Sequence, residues 1–322
     1  MERGSDRPTP LVSVVIPAHG VAAWVVGSVA SALDQPVPLE VIVVDDASPD
    51  DGADRVRAAF GGDPRCSVIE NPRAKGVCGA RNAGLEVARA PWLVFLDGDD
   101  QLLPGGLAAL LAGREAGAAG VFGGFRHVDG QGGDVVSSWL VDRADALARF
   151  DARRLGLDLL PRRTFNPPPG AILFSTAALR SVGGWDEAAS GVGRSEDFEV
   201  IMRVATTGDF VLIDDAVLAY LQRPGSRSTG GRNNRSRLMT RLAIVRRTPR
   251  RWRTRVGRAQ GRAYLRLVRP RLAAARADGG LRSGAVGILD LGLGLGFALW
   301  GVLCWPLPAW RTTWPALAEE GA

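Results

Sequence analysis

Short apolar runs recur through the first half of the chain, and stretches with helical spacing separate them. "LVSVVIPA" (11–18), "LEVIVVDD" (39–46), "CSVIEN" (66–71) and "WLVFLD" (92–97) are rich in Val and Ile without polar alternation. Such runs belong to strands covered on both faces, as in a parallel sheet. Between them, "VAAWVVGSVASAL" (21–33), residues 53–60, "GVCGARNAGLEVAR" (76–89) and "LPGGLAALLAG" (103–113) read as helices. Repeated strand–helix–strand units predict an open α/β sheet, mostly parallel, with right-handed crossovers and ligands bound beyond the carboxyl ends of its strands. Further along, "GVFGGFRHV" (120–128), "AILFS" (171–175), "FVLID" and "AVLAYLQR" read as strands, and "TFNPPPG" (164–170) as a rigid turn. "RADALARF", "TAALRSVGGWDE" and "SEDFEVIMRVATTG" (195–208) read as helices, the last opening on a capping-type Ser with acids in its first turn.

The pattern changes near residue 224. Leu238, Leu242 and Val245, then Trp252, Val256, Ala263 and Leu267, form a thin apolar stripe opposite arginines, divided by Pro249 and Pro270. A helix of that kind can lie on an anionic membrane surface, or pack as a solvated appendage on the α/β body. "AVGILDLGLGLGFALWGVLCWPLPAW" (285–310) follows, uncharged from Leu291 to Trp305 and interrupted by Asp290. Its apolar length approaches the ~20 residues a bilayer span requires. Gly292, Gly294 and Gly296 suit close helix packing in lipid, and Trp300, Trp305, Trp310 and Trp314 suit an interfacial belt. The segment reads as a spanning or re-entrant anchor, with a buried hairpin or core helix as the alternative. The expected organisation is a loose tail (1–10), an α/β body (11–223), an Arg-rich helical segment (224–282) and a hydrophobic segment (283–322).

Charge sharpens this division. The 322-residue chain carries a formal net charge of +6, yet nineteen arginines and one acid, Asp278, lie between Arg223 and Arg282, so the remainder is net acidic. An acidic body bearing a basic segment suits an acidic partner surface. Trp252 and Tyr264 are the segment's only aromatics, which disfavours stacking on nucleic-acid bases and leaves an anionic membrane surface as the expected partner. If residues 285–310 span a bilayer, the arginine excess before them keeps the body on the cytoplasmic face. Cys66, Cys78 and Cys304 form neither a metal pattern nor an even disulfide set, in keeping with a reducing compartment, and residues 1–10 lack the features of a secretory signal.

The candidate chemistry lies where strands end. Asp45 and Asp46 close the second run; Asp97, Asp99 and Asp100 close the fourth, with Gly98 allowing a close backbone approach. Clustered carboxylates repel unless a cation pairs them. Hard oxygen ligands without neighbouring Cys or His favour Mg²⁺ or Mn²⁺, ions held by one or two carboxylates together with substrate phosphates. The competing reading of "DGDD" is a turn with helix-capping acids.

In order and spacing, "VSVVIPAHG", "VIVVDDASPDDG", "NPRAKGVCGARNAGLEVA", "WLVFLDGDDQLLP", "GGWDE" and "EDFEVIMRV" resemble the family 2 inverting glycosyltransferases, over roughly residues 11–223. The resemblance implies the GT-A nucleotide-sugar-binding fold and a hexosyltransferase-type activity with a UDP-sugar favoured as donor. It places Asp46 on the donor base, Pro17, Ala18 and His19 in the donor pocket, and Arg81 and Asn82 beside the donor. Asp97 and Asp99 match the Asp-x-Asp motif, Asp99 on the metal and Asp97 on ribose or metal. Asp197, with Glu196 beside it, matches the general base.

The implied mechanism is a single displacement in which a divalent ion stabilises the departing diphosphate and a carboxylate takes the proton of an acceptor hydroxyl. The acceptor would be a lipid-linked or cell-envelope glycan. At "YLQRPGSRS" the family often places a metal-binding His; here Arg223 stands there, which cannot ligate a metal and would contact the diphosphate instead. The Gln-x-x-Arg-Trp signature of processive synthases is absent, which points to transfer of one sugar. His127 reads as structural. The alternatives are transfer to a polyprenyl phosphate, and a scaffold that binds nucleotide or glycan without turnover.

Overall fold

The computed structural model describes residues 9–129, 134–136, 154–155, 167–189 and 196–222, all within the first of two compact units, Met1–Pro249. Arg223, the helix expected at 143–150, the Arg-rich segment and the hydrophobic segment lie outside the described residues.

Four strands carry the first half: β1 (Val12–Ala18), β2 (Leu39–Asp45), β3 (Cys66–Glu70) and β4 (Trp92–Phe95). They run parallel in the order β3-β2-β1-β4, with Ala18 beside Asp45 and Val15 beside Phe95. Val12, Val14, Val15 and Ile16 are fully buried, because β1 is covered on both faces. Helix α1 (Val25–Leu33) buries Val25, Ser28, Val29, Ala32 and Leu33, a stripe at helical spacing. With Leu107 and Leu110 of α4 (Gly106–Ala112), it packs in the same core as Val12, Val14 and Ile16. Helix α2 (Gly52–Phe60) follows β2 and buries only Gly52, Ala53 and Val56.

Helix α3 (Val77–Val87) lies against the other face of β1, and a glycine sets how closely. A Cβ on Gly84 would stand 2.2 Å from a methyl of fully buried Val15. Gly84→Ala is therefore expected to cost about 1–3 kcal/mol, the usual range for overpacking, read as a lowered midpoint in chemical denaturation.

The second half is mixed. β5 (Gln101–Leu102), β6 (Gly120–Val128), β7 (Asp134–Val136), β8 (Arg154–Leu155), β9 (Ile172–Ser175) and β10 (Phe210–Leu221) extend the sheet in the order β4-β9-β6-β10-β5, with β7 paired to β6 and β8 to β10. β9 enters antiparallel between β4 and β6, whereas β10 runs parallel to β6. The two strands expected at "FVLID" and "AVLAYLQR" form the single strand β10. Its pairing with β6 shifts register on either side of Ala216, so Asp214 and Asp215 sit in an irregular stretch rather than a reversing turn. Helix α5 (Thr176–Ser181) is capped by the Ser175 hydroxyl, and α6 (Glu196–Val204) buries Phe198 through Val204.

Among the described residues, no helix is long and apolar enough to cross a membrane.

Candidate active site

The carboxyl ends of β1, β2 and β4 meet at one edge of the sheet, and the loops leaving them are cross-tied. The Asp46 amide donates to the Ala18 carbonyl (3.0 Å), and His19 Nδ1 lies 3.1 Å from the Asp46 carbonyl oxygen. Asp46 is buried, its carboxylate accepting from Asn71 Nδ2 (2.7 Å) and from the Gly76 amide (2.8 Å). The loop after β3 thus encloses it, and Gly76 supplies that amide from φ 124°, a backbone region that favours glycine. A carboxylate has about four acceptor positions, so capacity for a further donor remains. Next to it Ala47 sits at φ 51°, the left-handed region, among the described residues the sole non-glycine there. Ala47→Gly is expected to stabilise by about 0.5–1 kcal/mol by removing Cβ crowding, measured by thermal unfolding.

After β4 the chain turns tightly, the Asp100 amide donating to the Asp97 carbonyl. Gly98 lies buried beneath Val21 and Pro17: a Cβ there would stand 2.9 Å from a Val21 methyl and 3.2 Å from the Pro17 oxygen, and the Ser28 hydroxyl donates to the Gly98 carbonyl. Asp100 is buried and accepts from the Leu221 amide, tying the turn to the end of β10. Asp97 and Asp99 remain partly exposed. The turn thus places two hard-oxygen side chains at the surface and a third in the frame.

Arg81 joins the two acidic regions. It projects from α3 with only 2% of its side chain exposed, donating from Nη2 to Asp97 (2.7 Å) and from Nη1 to Asp197 (2.9 Å). Its guanidinium lies 4.3 Å over the Trp185 ring, which in turn meets Phe95 edge-on. Burial alone would favour loss of the Arg81 proton; Asp97 and Asp197, with Glu196 nearby, outweigh it and raise its pKa above the ordinary value. An arginine expected at the donor thus spends both ends of its fork on carboxylates.

Asn82 is also committed. Its amide donates to the Trp185 carbonyl (3.0 Å) and Glu187 (2.9 Å) and accepts from the Trp185 amide (2.8 Å), holding the 183–187 turn against α3. Gly184, at φ 65°, is required there, since a Cβ would stand 2.5 Å from the Asn82 side-chain oxygen. Glu187 also pairs with Arg73 (2.6 Å); the bonds from Asn82 and then Arg73 hold its carboxyl below the usual range. From the far side Arg203 of α6 donates to the Val182 and Gly184 carbonyls (2.6 Å each) while pairing with Glu199 (2.7 Å), both side chains buried. This brace fixes α6, whose first turn carries Glu196 and Asp197. His127 stands against Phe125 and Tyr220 and within 2.7 Å of Gln222, a packed position.

Asn71, Trp185, Glu187 and Arg203 were not singled out from sequence as site residues. "GGWDE" was the available signal for Trp185 and Glu187, whereas nothing local marks Asn71 or Arg203.

Among the described residues, no group of three or more His, Cys, Asp or Glu side chains is arranged to hold a metal unaided. An ion there would need the partly exposed Asp97 and Asp99, with its remaining coordination from substrate phosphate and water, as such ions commonly take it.

Comparison with known proteins agrees with this architecture. The model of the family described as Glycosyl transferase family 2 matches residues 13–183. The succinoglycan biosynthesis protein ExoU of Rhizobium meliloti (strain 1021) is 39% identical over 101 residues, 31% of this chain and 30% of that protein. The Escherichia coli UDP-Glc:alpha-D-GlcNAc-diphosphoundecaprenol beta-1,3-glucosyltransferase WfaP is 38% identical over 91 residues, 28% of this chain and 36% of that protein. The matched region spans about a third of the length of these relatives. Among solved structures, S. aureus TarS 1–349 in complex with UDP-GlcNAc has a TM-score of 0.64 at 16% identity, covering 89% of this chain and 81% of that one. The likeness establishes a shared α/β fold.

Proposed function

Because the chain belongs to glycosyl transferase family 2, we propose that it moves one sugar, with inversion, from a nucleoside-diphosphate donor to a hydroxyl of a lipid-linked or cell-envelope glycan. The observation that carries this reading is the meeting of Asp97, from the end of β4, with Asp197, from the start of α6, across Arg81. A metal-assisted transfer of this kind uses one carboxylate region for the ion that meets the diphosphate and another for the acceptor, held at a fixed offset. The donor is read as a UDP-sugar, in keeping with the UDP-linked ligand of TarS and the UDP-Glc named for WfaP. The acceptor class follows the names of ExoU and WfaP, which refer to succinoglycan and to a diphosphoundecaprenol-linked sugar.

In this reading Asp46 accepts the N3–H of the base, with Pro17, Ala18 and His19 lining the pocket, and Arg223 reaches the diphosphate. Asp197 takes the proton of the acceptor hydroxyl as its oxygen attacks the anomeric carbon; the bond from that carbon to the diphosphate breaks, and its electron pair leaves with the nucleoside diphosphate. Glu196 stands next to Asp197 in the first turn of α6 and would accompany it on the acceptor side. Asp99, with Asp97 beside it, would hold Mg²⁺ or Mn²⁺, which when bound supplies charge neutralisation for the leaving diphosphate. The Arg-rich and hydrophobic segments would keep the enzyme at the cytoplasmic face of a membrane.

A screen of nucleotides and nucleotide sugars tests this directly. A ligand at about a hundred times its Kd should stabilise the full-length protein by about 2.7 kcal/mol. UDP with Mn²⁺ is expected to raise the melting temperature, with EDTA or Asp99→Asn removing most of the gain. No response to any nucleotide would reject the donor site.

A further inference from the structure

Among the described residues, Arg81 is a buried cation shared by the two carboxylates on which the proposed reaction depends. One guanidinium donates to Asp97 and Asp197, which come from parts of the chain a hundred positions apart in number, and the Trp185 ring supports its face. Without that cation, two carboxylates this near one another would repel, and burial would add to the cost. The fork is rigid and planar, so its two ends fix the spacing of the carboxylates as well as their charge. An exposed arginine on a flexible stem could not do this; here the stem is enclosed and the side chain is 2% exposed.

We propose that Arg81 is a positioning residue: it sets the distance and orientation of Asp197 relative to the donor-side carboxylate Asp97, and so aligns proton removal with departure of the diphosphate. The inference rests on the glycosyltransferase reading above. It assigns Arg81 no contact with the donor, and it makes Trp185 the platform that holds the fork in plane. A misplacement of about 1 Å at a reacting centre can cost about a hundredfold in rate. Lysine keeps the charge but is a compact ammonium without the planar fork, so it cannot hold both carboxylates at the same spacing.

The test measures UDP release from UDP-GlcNAc and UDP-Glc by the full chain, with water as the hydroxyl that takes the sugar, each variant being held well below its own melting temperature. Arg81→Lys is expected to lower kcat about a hundredfold while the donor KM stays within about threefold. A role confined to stability would lower kcat only in proportion to the folded fraction, and a direct donor contact would raise KM instead. Either result overturns the inference. Trp185→Leu leaves both ion pairs and removes the platform; it should lower kcat by several-fold at unchanged KM, and it remains informative if Arg81→Lys fails to fold. Full kcat in the folded Trp185→Leu protein overturns the platform role. A wild-type protein that binds UDP but releases none from either sugar would reject the catalytic reading, and the inference with it. An active wild type with an equally active Arg81→Lys variant would reject the inference alone.

Discussion

Asp197→Asn is expected to lower turnover by about a thousandfold, in the middle of the range for loss of a general base, while nucleotide affinity changes little. The geometry favours a clean result. An asparagine oxygen can still accept from Arg81 Nη1, as Asp197 does at 2.9 Å, so the fork and α6 should stay in place. What is lost is the negative charge proposed to take the proton. Asp46, the proposed contact to the base, sits at the end of β2 with its own partners, Asn71 and Gly76. UDP binding by calorimetry and UDP release by a coupled assay separate the two effects. Full activity in the variant would remove Asp197 from the base role and favour a phosphate acceptor, which has no hydroxyl proton to lose.

Arg203→Met is expected to destabilise the protein by about 3–5 kcal/mol, the range for stripping one partner from a buried ion pair. Glu199 would be left charged and enclosed, and the carbonyls of Val182 and Gly184 would each lose a donor at 2.6 Å. Methionine fills similar space, so packing loss contributes little. A double variant with Glu199→Leu should recover part of the loss, since it removes the orphaned charge. Urea denaturation of the single and double variants measures both terms; a loss below 1 kcal/mol in the single variant would show that the pair does not brace α6.

Much of the first half of the fold was legible because β1, β2 and most of β4 are buried on both faces; β3, expected to be covered in the same way, is instead a partly exposed strand at the end of the sheet. Runs such as "SVVIPA" and "EVIVVDD" have few other readings, and the helices between them show plain apolar spacing. β5, β7 and β8 were not legible: two or three residues carry no periodicity, and pairing with longer strands is what makes them strands. The direction of β9 was equally hidden, since "AILFS" has the same composition whichever way it runs.

In the candidate site, Asp46, Asp97 and Asp99 were visible as acids at strand ends, and Asp197 through its family-like setting. The partners of Arg81 were not. An arginine in a helix reads as a solvated residue, and only the approach of α3 to β1 through Gly84 and the arrival of Trp185 from a distant turn enclose it. Asn82 shows the same limit, because its bonds run to residues 185 and 187.

The antiparallel entry of β9 has a consequence for how the chain acquires its shape. The strands β1 to β4 assemble by short crossovers, and they can zip together while the nascent polypeptide is still emerging. β9 has no slot until both β4 and β6 exist, and contacts of such wide sequence separation form slowly. The edge proposed to face the nucleotide should therefore mature early in synthesis. The side that carries the proposed base, Asp197, would be completed only after a late strand closes the gap between its neighbours.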